Sequence, residues 1–146
     1  MILSLSKCPV KSFLLTNLNE KGLLVHEIFG PQTDCTFVGL DFDGLDHTVR
    51  VSRRRGWRLA LAIDHLVNKG RCSGRALEHV IGHFTWAGLA RRESLSIVHA
   101  CYSFIQTHKE HPVPLWDSVK RELMWIRSII PLLFASLDAP WCENVT

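Results

Sequence analysis

The stretch from Thr36 to Gly70, T-F-V-G-L-D-F-D-G-L-D-H-T-V-R-V-S-R-R-R-G-W-R-L-A-L-A-I-D-H-L-V-N-K-G, changes its hydrophobic period part way along, and the architecture follows from that change. Asp43-Gly44 stands between two β-prone runs, T-F-V-G-L-D-F and H-T-V-R-V, and a D-G step in that setting is a strong hairpin signal. Leu45 and Asp46 extend the connecting loop. Alternation through Thr48, Val49, Arg50 and Val51 predicts a half-buried second strand. From Ser52 the spacing becomes helical: Trp57, Leu61 and Leu66, broadened by Ala60, Ile63 and Val67, make one apolar stripe, and Gly70 is placed to end it.

Upstream of this stretch the chain is rich in turn residues (Asn17, Asn19, Gly22, Gly30-Pro31, Asp34), with apolar runs of strand length at Phe13-Leu14-Leu15, Leu23-Leu24-Val25 and Phe37-Val38-Gly39-Leu40 between them. Downstream, Ser73 offers an N-cap to a helix carrying Ala76, Leu77, Val80, Ile81 and Phe84. Gly82 and Gly88 inside that helix cost propensity, which predicts close approach of a neighbouring backbone. A third helix is expected from Ser94 to about His108, with Leu95, Val98, Cys101, Tyr102 and Ile105 inward. Pro112 and Pro114 break it, and a fourth begins near Pro114 and carries Leu115, Val119, Leu123, Ile126 and Ile130 as far as Pro131. The reading is mainly α with a short N-terminal β-hairpin region, an α+β chain of about four helices, divided at residue 51 into a hairpin part (1–51) and a helical part (52–146).

At 146 residues, 47% hydrophobic and 21% charged, the chain has the composition of an ordinary globular domain with a real core. The first apolar stretch, Ile2 to Leu5, is too short for a signal core or a membrane span. Five cysteines (Cys8, Cys35, Cys72, Cys101, Cys142) form no C-x-x-C pair, which argues for free thiols inside the cell, in the cytoplasm or nucleus. His79 and His83 share a helix face, yet H-V-I-G-H lacks the glutamate of the H-E-x-x-H zinc motif, and no metal site is expected.

The net charge of +3 hides a strong asymmetry. Between Arg50 and Arg92 ten basic residues stand against two acidic ones, so the rest of the chain is net negative. Such a segment is the usual footprint of a polyanion-binding face, because each neutralised phosphate releases condensed counterions. Asp41 and Asp43 lie two apart on one strand face, where paired carboxylates can hold divalent ions for phosphoryl transfer. With only Asp46 nearby as a further ligand, they read instead as the polar end of a hairpin. Of the five tryptophans, those on helices are expected in the core. Trp57 is set apart, since inside R-R-R-G-W-R it is placed to lie against a sugar-phosphate backbone. No G-x-S-x-G, Walker loop or Rossmann fingerprint is present.

A series of motifs carries a family resemblance: G-L-L-V-H-E (Gly22 to Glu27), F-V-G-L-D-F-D-G (Phe37 to Gly44), R-G-W-R-L (Arg55 to Leu59), G-R-C-S-G-R-A-L-E-H-V-I-G-H-F-T-W (Gly70 to Trp86), R-R-E-S-L-S (Arg91 to Ser96) and L-W-D-S-V-K-R-E-L (Leu115 to Leu123). Over roughly residues 20 to 141 this resembles the region that follows the catalytic palm in retrotransposon reverse transcriptases, of the DIRS-like kind and their relatives. The resemblance implies that Phe37, Val38, Gly39 and Leu40 match a hairpin that steadies the primer end, and that Ser73 to Trp86 match a helix of the thumb or connection. The family's polymerase chemistry uses an upstream aspartate and a Y-x-D-D-type turn. No aspartate precedes Asp34 here. The resemblance therefore implies a fragment without catalytic residues of its own, Mg2+ belonging only to the complete polymerase, and as partners the palm and RNase H-like domains of the parent protein.

The expected role is contact with duplex or RNA–DNA hybrid through Arg53, Arg54, Arg55, Trp57, Arg58, Lys69, Arg71 and Arg75, which position a backbone without reading its sequence. Membrane and small-molecule partners are not expected. Two alternatives stand beside it. One is a free-standing helical DNA-binding regulator whose Ser73 to Ala90 helix enters a major groove. The other is a decayed element without selected function.

Overall fold

The computed structural model describes residues 9–23 and 33–139, and the chain forms two compact units, residues 1–32 and 33–146. In the first unit, α1 runs over Pro9–Glu20. Its start and stop are explicit. Proline suits the first helical turn, where the missing N–H costs nothing. At the other end Gly22 takes φ +73°, its N–H donates to the Asn19 carbonyl at 3.0 Å and the Leu23 N–H donates to Leu18 at 2.9 Å, the Schellman pattern. The run Phe13-Leu14-Leu15, expected to be strand-like, is thus helical. A three-residue apolar run fits either period, and the terminal signals decide. Leu24 and Val25 of the second apolar run lie outside the described residues.

The second unit opens with a meander: β1 (Asp34–Phe37), β2 (Leu40–Asp43) and β3 (Thr48–Val51). The Asp43-Gly44 hairpin is present, with Asp43 opposite Thr48 and Gly44 to His47 as its loop. Phe37 to Leu40, expected as one strand run, contains a second turn. Phe37 pairs with Leu40, and Val38 and Gly39 both take positive φ (+50° and +82°), the signature of a two-residue type I′ turn. The sheet also exceeds a hairpin. The distant β6 (Phe134–Ser136) joins the edge of β3 through Val49 and Ala135, giving the order β1-β2-β3-β6. The division expected at residue 51 lies inside this unit, where β3 passes into the first long helix through Ser52 alone.

Four helices follow: α2 (Arg53–Lys69), α3 (Gly74–Ala87), α4 (His99–Thr107) and α5 (Asp117–Ile129). They pack in a ring, α2 on α3, α3 on α4, α4 on α5 and α5 back on α2. Ile63, Leu77, Ile81, Phe84, Cys101, Phe104, Val119, Leu123 and Ile126 fill its centre. The two-residue strands β4 (Arg71–Cys72) and β5 (Val113–Pro114) tie the α2–α3 and α4–α5 connections together. Gly70 ends α2 in the left-handed region at φ +67°, as its position predicts. The third helix starts at His99 and not at Ser94. Residues Arg92–Ile97 form 3-10 turns, closed by the Ser94 and Ser96 hydroxyls donating to the carbonyls of Arg91 and Glu93. Close backbone approach occurs at neither Gly82, which faces open space, nor Gly88, which meets the side chain of Leu95. It occurs at Gly74, where a Cβ would stand 2.7 Å from the carbonyl oxygens of Ile105 and His108.

Helix ends are where this core had to solve a polar problem, since a helix leaves four N–H groups unsatisfied. At α3 the Ser73 hydroxyl accepts from Ala76, while the Gly74 and Arg75 amides donate to the His108 and Lys109 carbonyls at the end of α4. Helix α4 has Val98 before it and no side-chain cap. Its Ala100 and Cys101 amides donate instead to the two oxygens of Glu122 on α5, each at 2.9 Å. Glu122 is 9% exposed. Burial and the adjoining carboxylate push the Cys101 thiol far above its ordinary range, so this cysteine is inert packing. Replacing Glu122 by Ala strands one buried and one part-buried amide and leaves a void. Each hydrogen bond to a charged group is worth about 1.5–3 kcal/mol, so Glu122→Ala lowers unfolding free energy by roughly 3 kcal/mol or more in urea titration. A loss of under about 1 kcal/mol contradicts this assignment.

Candidate functional site

Helix α2 sorts its residues by angle. Gly56, Leu59, Ala60, Ile63 and Leu66 are buried against the ring, whereas Arg54, Trp57, Arg58, Leu61, His65, Asn68 and Lys69 are exposed. Trp57 and Leu61, expected on the apolar stripe, stand outside it, Trp57 being 65% exposed. At 100° per residue the inward stripe centres on Ala60 and Ile63, and the other two side chains lie more than a quarter-turn away. The outer face of α2 is thus cationic at both ends and apolar in the middle.

The eight residues expected to contact nucleic acid fall into separate groups. Arg53, Arg54 and Trp57 line one cleft, and Arg55 and Arg58 line another between α2 and α3. Lys69, Arg71 and Arg75 lie at the far end of α2 and beyond, with Lys69 about 24 Å along the helix axis from Arg53. Arg53, Arg54, Arg58 and Lys69 have no ion pair or side-chain hydrogen bond among the described residues. Arg71 donates to the Pro112 carbonyl at 3.3 Å, and Arg75 stands 3.8 Å from the Glu110 carboxylate, both exposed. Arg55 has a different setting. Its guanidinium lies over the Trp86 ring, 4.6 Å from the centroid, and against Gly39 of the β1–β2 turn, where any Cβ would collide with it. Arg55 therefore clamps the hairpin to the helices, a stacking task suited to the planar guanidinium.

The first cleft measures about 640 Å³ and lies between the N-terminus of α2, strand β3 and the 3-10 turn Ile130–Leu132. Its floor is apolar, with Val51, Ala60, Ile130 and Leu133, and its rim carries Arg50, Arg53, Arg54 and Arg127. Among the described residues no carboxylate lines it. Arg50 is paired with Asp43 at 3.2 Å, and the Arg127 Nε donates to both oxygens of Asp64 at 3.1 and 3.2 Å, so Arg53 and Arg54 are the cations here that make no ion pair among the described residues, and Arg53 also lines the face that carries Asp34, Asp41 and Asp43. The first turn of α2 adds to it, having three arginines, no acidic residue and no side-chain cap on its amides. Sequence reasoning missed Ser52, Arg50 and Arg127 here. Arg127 lies on α5, and no local pattern connects it to residue 53.

Beside this cleft, Asp34, Asp41 and Asp43 share a concave face with Arg50 and Arg53, which line both. Their oxygens are committed locally. The Thr36 hydroxyl donates to Asp41 at 2.7 Å, the Gly44 amide to Asp34 at 3.3 Å, and the Leu45 and Asp46 amides to Asp43 at 3.1 and 2.9 Å. The Asp46 amide above all, with Leu45 and the Arg50 charge, holds the Asp43 carboxyl below its ordinary range, against a smaller effect of burial. These aspartates build the turn. Of the described tryptophans none is fully buried: Trp86 carries Arg55, Trp125 lies under Arg121 at 5.6 Å, and Trp116 packs edge-on to Phe104 at 5.3 Å. The rings are too large and their N–H too polar for complete burial here. His79 and His83 are both exposed on α3.

Two stability measurements separate the tasks of these residues. Arg55→Ala costs about 1 kcal/mol through the missing stacking, while Arg54→Ala stays within about 0.5 kcal/mol. Val38 is a β-branched residue held at φ +50°, so Val38→Asn, the residue type I′ turns favour, raises stability by about 1 kcal/mol. Unchanged or lowered stability in V38N would contradict the turn assignment. Comparison of the chain with protein-family models, with curated proteins and with solved structures gives no match.

Proposed function

We propose that this chain is part of a reverse-transcriptase-like protein and that it holds a nucleic-acid backbone through the exposed basic face of α2 and the segment leading into α3, with no catalytic step of its own. The carrying observation is the set of exposed α2 cations that make no ion pair among the described residues, Arg53, Arg54, Arg58 and Lys69, within a segment of ten basic and two acidic residues. Ion pairs in the same fold are made by Arg50, Arg75, Lys120 and Arg127, so these four α2 cations are the ones left for an external anion. The motif series from Gly22 to Leu123 supports the same reading by resemblance. In that setting Phe37 to Leu40 form the tip that approaches a primer end, and the chemistry with its Mg2+ belongs to other parts of the parent protein. Among the described residues no helix is long and apolar enough to cross a membrane.

A second reading, a helical DNA-binding regulator, draws on the open face of α3, where Arg75, His79 and His83 are exposed and Gly82 has free space around it. One experiment separates the two. Fluorescence anisotropy at several salt concentrations is recorded with two unrelated sequences, each as duplex DNA and as RNA–DNA hybrid. The combined change of Arg53, Arg54, Arg58 and Lys69 to Gln weakens binding to every probe by a similar factor. It also flattens the slope of log affinity against log salt by up to about 0.9 for each phosphate of duplex DNA that is no longer neutralised. A regulator behaves otherwise: His79→Ala then costs about 1–3 kcal/mol on one sequence and leaves the other intact. Absence of binding at low salt eliminates both.

A further inference from the structure

We infer that the cleft between the N-terminus of α2 and the Ile130–Leu132 turn seats an unpaired nucleotide of a nucleic-acid strand, with its phosphate on Ser52, Arg53 and Arg54 and its base on Trp57. This rests on the proposed backbone-binding role and names the form of nucleic acid that one part of the face takes.

Three observations converge on the cleft. Ser52 is 8% exposed and lines it, yet its hydroxyl makes no hydrogen bond, neither to the α2 amides it precedes nor to any other described residue. No side-chain oxygen among the described residues is sealed away without a partner, so this one remains open to the cleft. A serine before a helix ordinarily caps it. Here the cap is withheld, and the amides of the first turn stay free beside two unpaired guanidinium groups. Backbone amides, a hydroxyl and arginines at a helix N-terminus are the chemistry of a phosphate site.

The second observation is the position of the aromatic ring. Trp57 follows Arg53 by four residues, one turn and about 6 Å further along the same side of the helix. A phosphate at the first turn therefore puts its own base beside the indole, which is mostly exposed. Third, the rest of the lining is largely apolar, with Val51, Ala60, Ile130, Pro131 and Leu133, and the volume of about 640 Å³ lies in the usual range for ligand pockets. A slot lined by an indole, apolar side chains and cations fits a splayed-out base. A paired base within a duplex cannot enter it. Aromatic stacking tolerates every base, so the site selects for single-strandedness and not for sequence.

The test uses the full chain and four labelled probes: short oligothymidylate, short oligouridylate, a blunt RNA–DNA hybrid and the same hybrid with a single-stranded overhang. Trp57→Ala weakens binding to both single strands and to the overhang by about 5- to 150-fold and changes the blunt hybrid less than about twofold. Trp57→Phe retains most of the affinity, and Ser52→Ala weakens the single strands by about two- to tenfold. The thymidylate and uridylate arms show whether DNA or RNA is the strand held. Circular dichroism of each variant confirms that the fold persists. Equal weakening of blunt and overhanging hybrids by Trp57→Ala, or no effect on the single strands, overturns the nucleotide cleft while the backbone-binding role stands. No binding of any probe by the unchanged protein at low salt overturns both.

Discussion

Two hydrogen bonds from the start of α4 to the buried carboxylate of Glu122 hold the helical ring in one arrangement. Helix α4 cannot cap itself, because Val98 precedes it, and its Ala100 and Cys101 amides are part-buried and buried. Only a partner from another element satisfies them, and α5 supplies it. The same device recurs at the other end of α4, whose His108 and Lys109 carbonyls receive the amides of Gly74 and Arg75 at the start of α3. Helices α3, α4 and α5 are thereby joined end to side through backbone groups, of which the Cys101 and Gly74 amides lie in buried residues and are costly to leave unpaired. The apolar contacts supply most of the stabilisation, and these polar joints select which packing is adopted.

With the ring fixed, the position of α2 follows from contacts on two sides. Asp64 and Arg127 join it to α5, and Arg55 links its first turn to the Trp86 ring of α3 and to the Val38-Gly39 turn of the sheet. Strand β6 then closes the arrangement, because the chain leaving α5 must turn at Pro131 to reach the edge of β3. That turn forms part of the lining of the cleft. The cleft is a consequence of the sheet accepting a strand from the far end of the chain.

The first turn of α2 runs against helix stability. Three arginines at the positive end of a helix dipole, without an acidic neighbour in the turn, are each unfavourable by a few tenths to about 1 kcal/mol at low salt. Ser52 withholds its cap from the same amides, and Val38 nearby in the fold is kept in a conformation that β-branched residues avoid. These local departures are collected around one cleft and one hairpin tip.

The order of hydrophobic periods was legible in the residues alone: strand alternation up to Val51, helical spacing from Ser52, the stop at Gly70, the cap at Ser73 and the break at Pro112 and Pro114. Each depends on residues within one or two turns of one another, and local sterics and hydrogen bonding are enough to set them. The basic segment was equally legible, since charge does not depend on folding. Other features required the assembled fold. Whether Phe13-Leu14-Leu15 was strand or helix turned on terminal signals, and whether Phe37 to Leu40 was a strand or a turn depended on pairing with β2 and on Arg55 closing over Gly39. Which arginines are free and which are occupied depends on neighbours far along the chain: Trp86 holds Arg55, and Asp64 holds Arg127, while Arg53 and Arg54 are left open. The partnership of Ser52 and Trp57 with Pro131 in one cleft has no local signature, because it exists only once β6 pairs with β3 and brings residues more than seventy positions apart into a single lining.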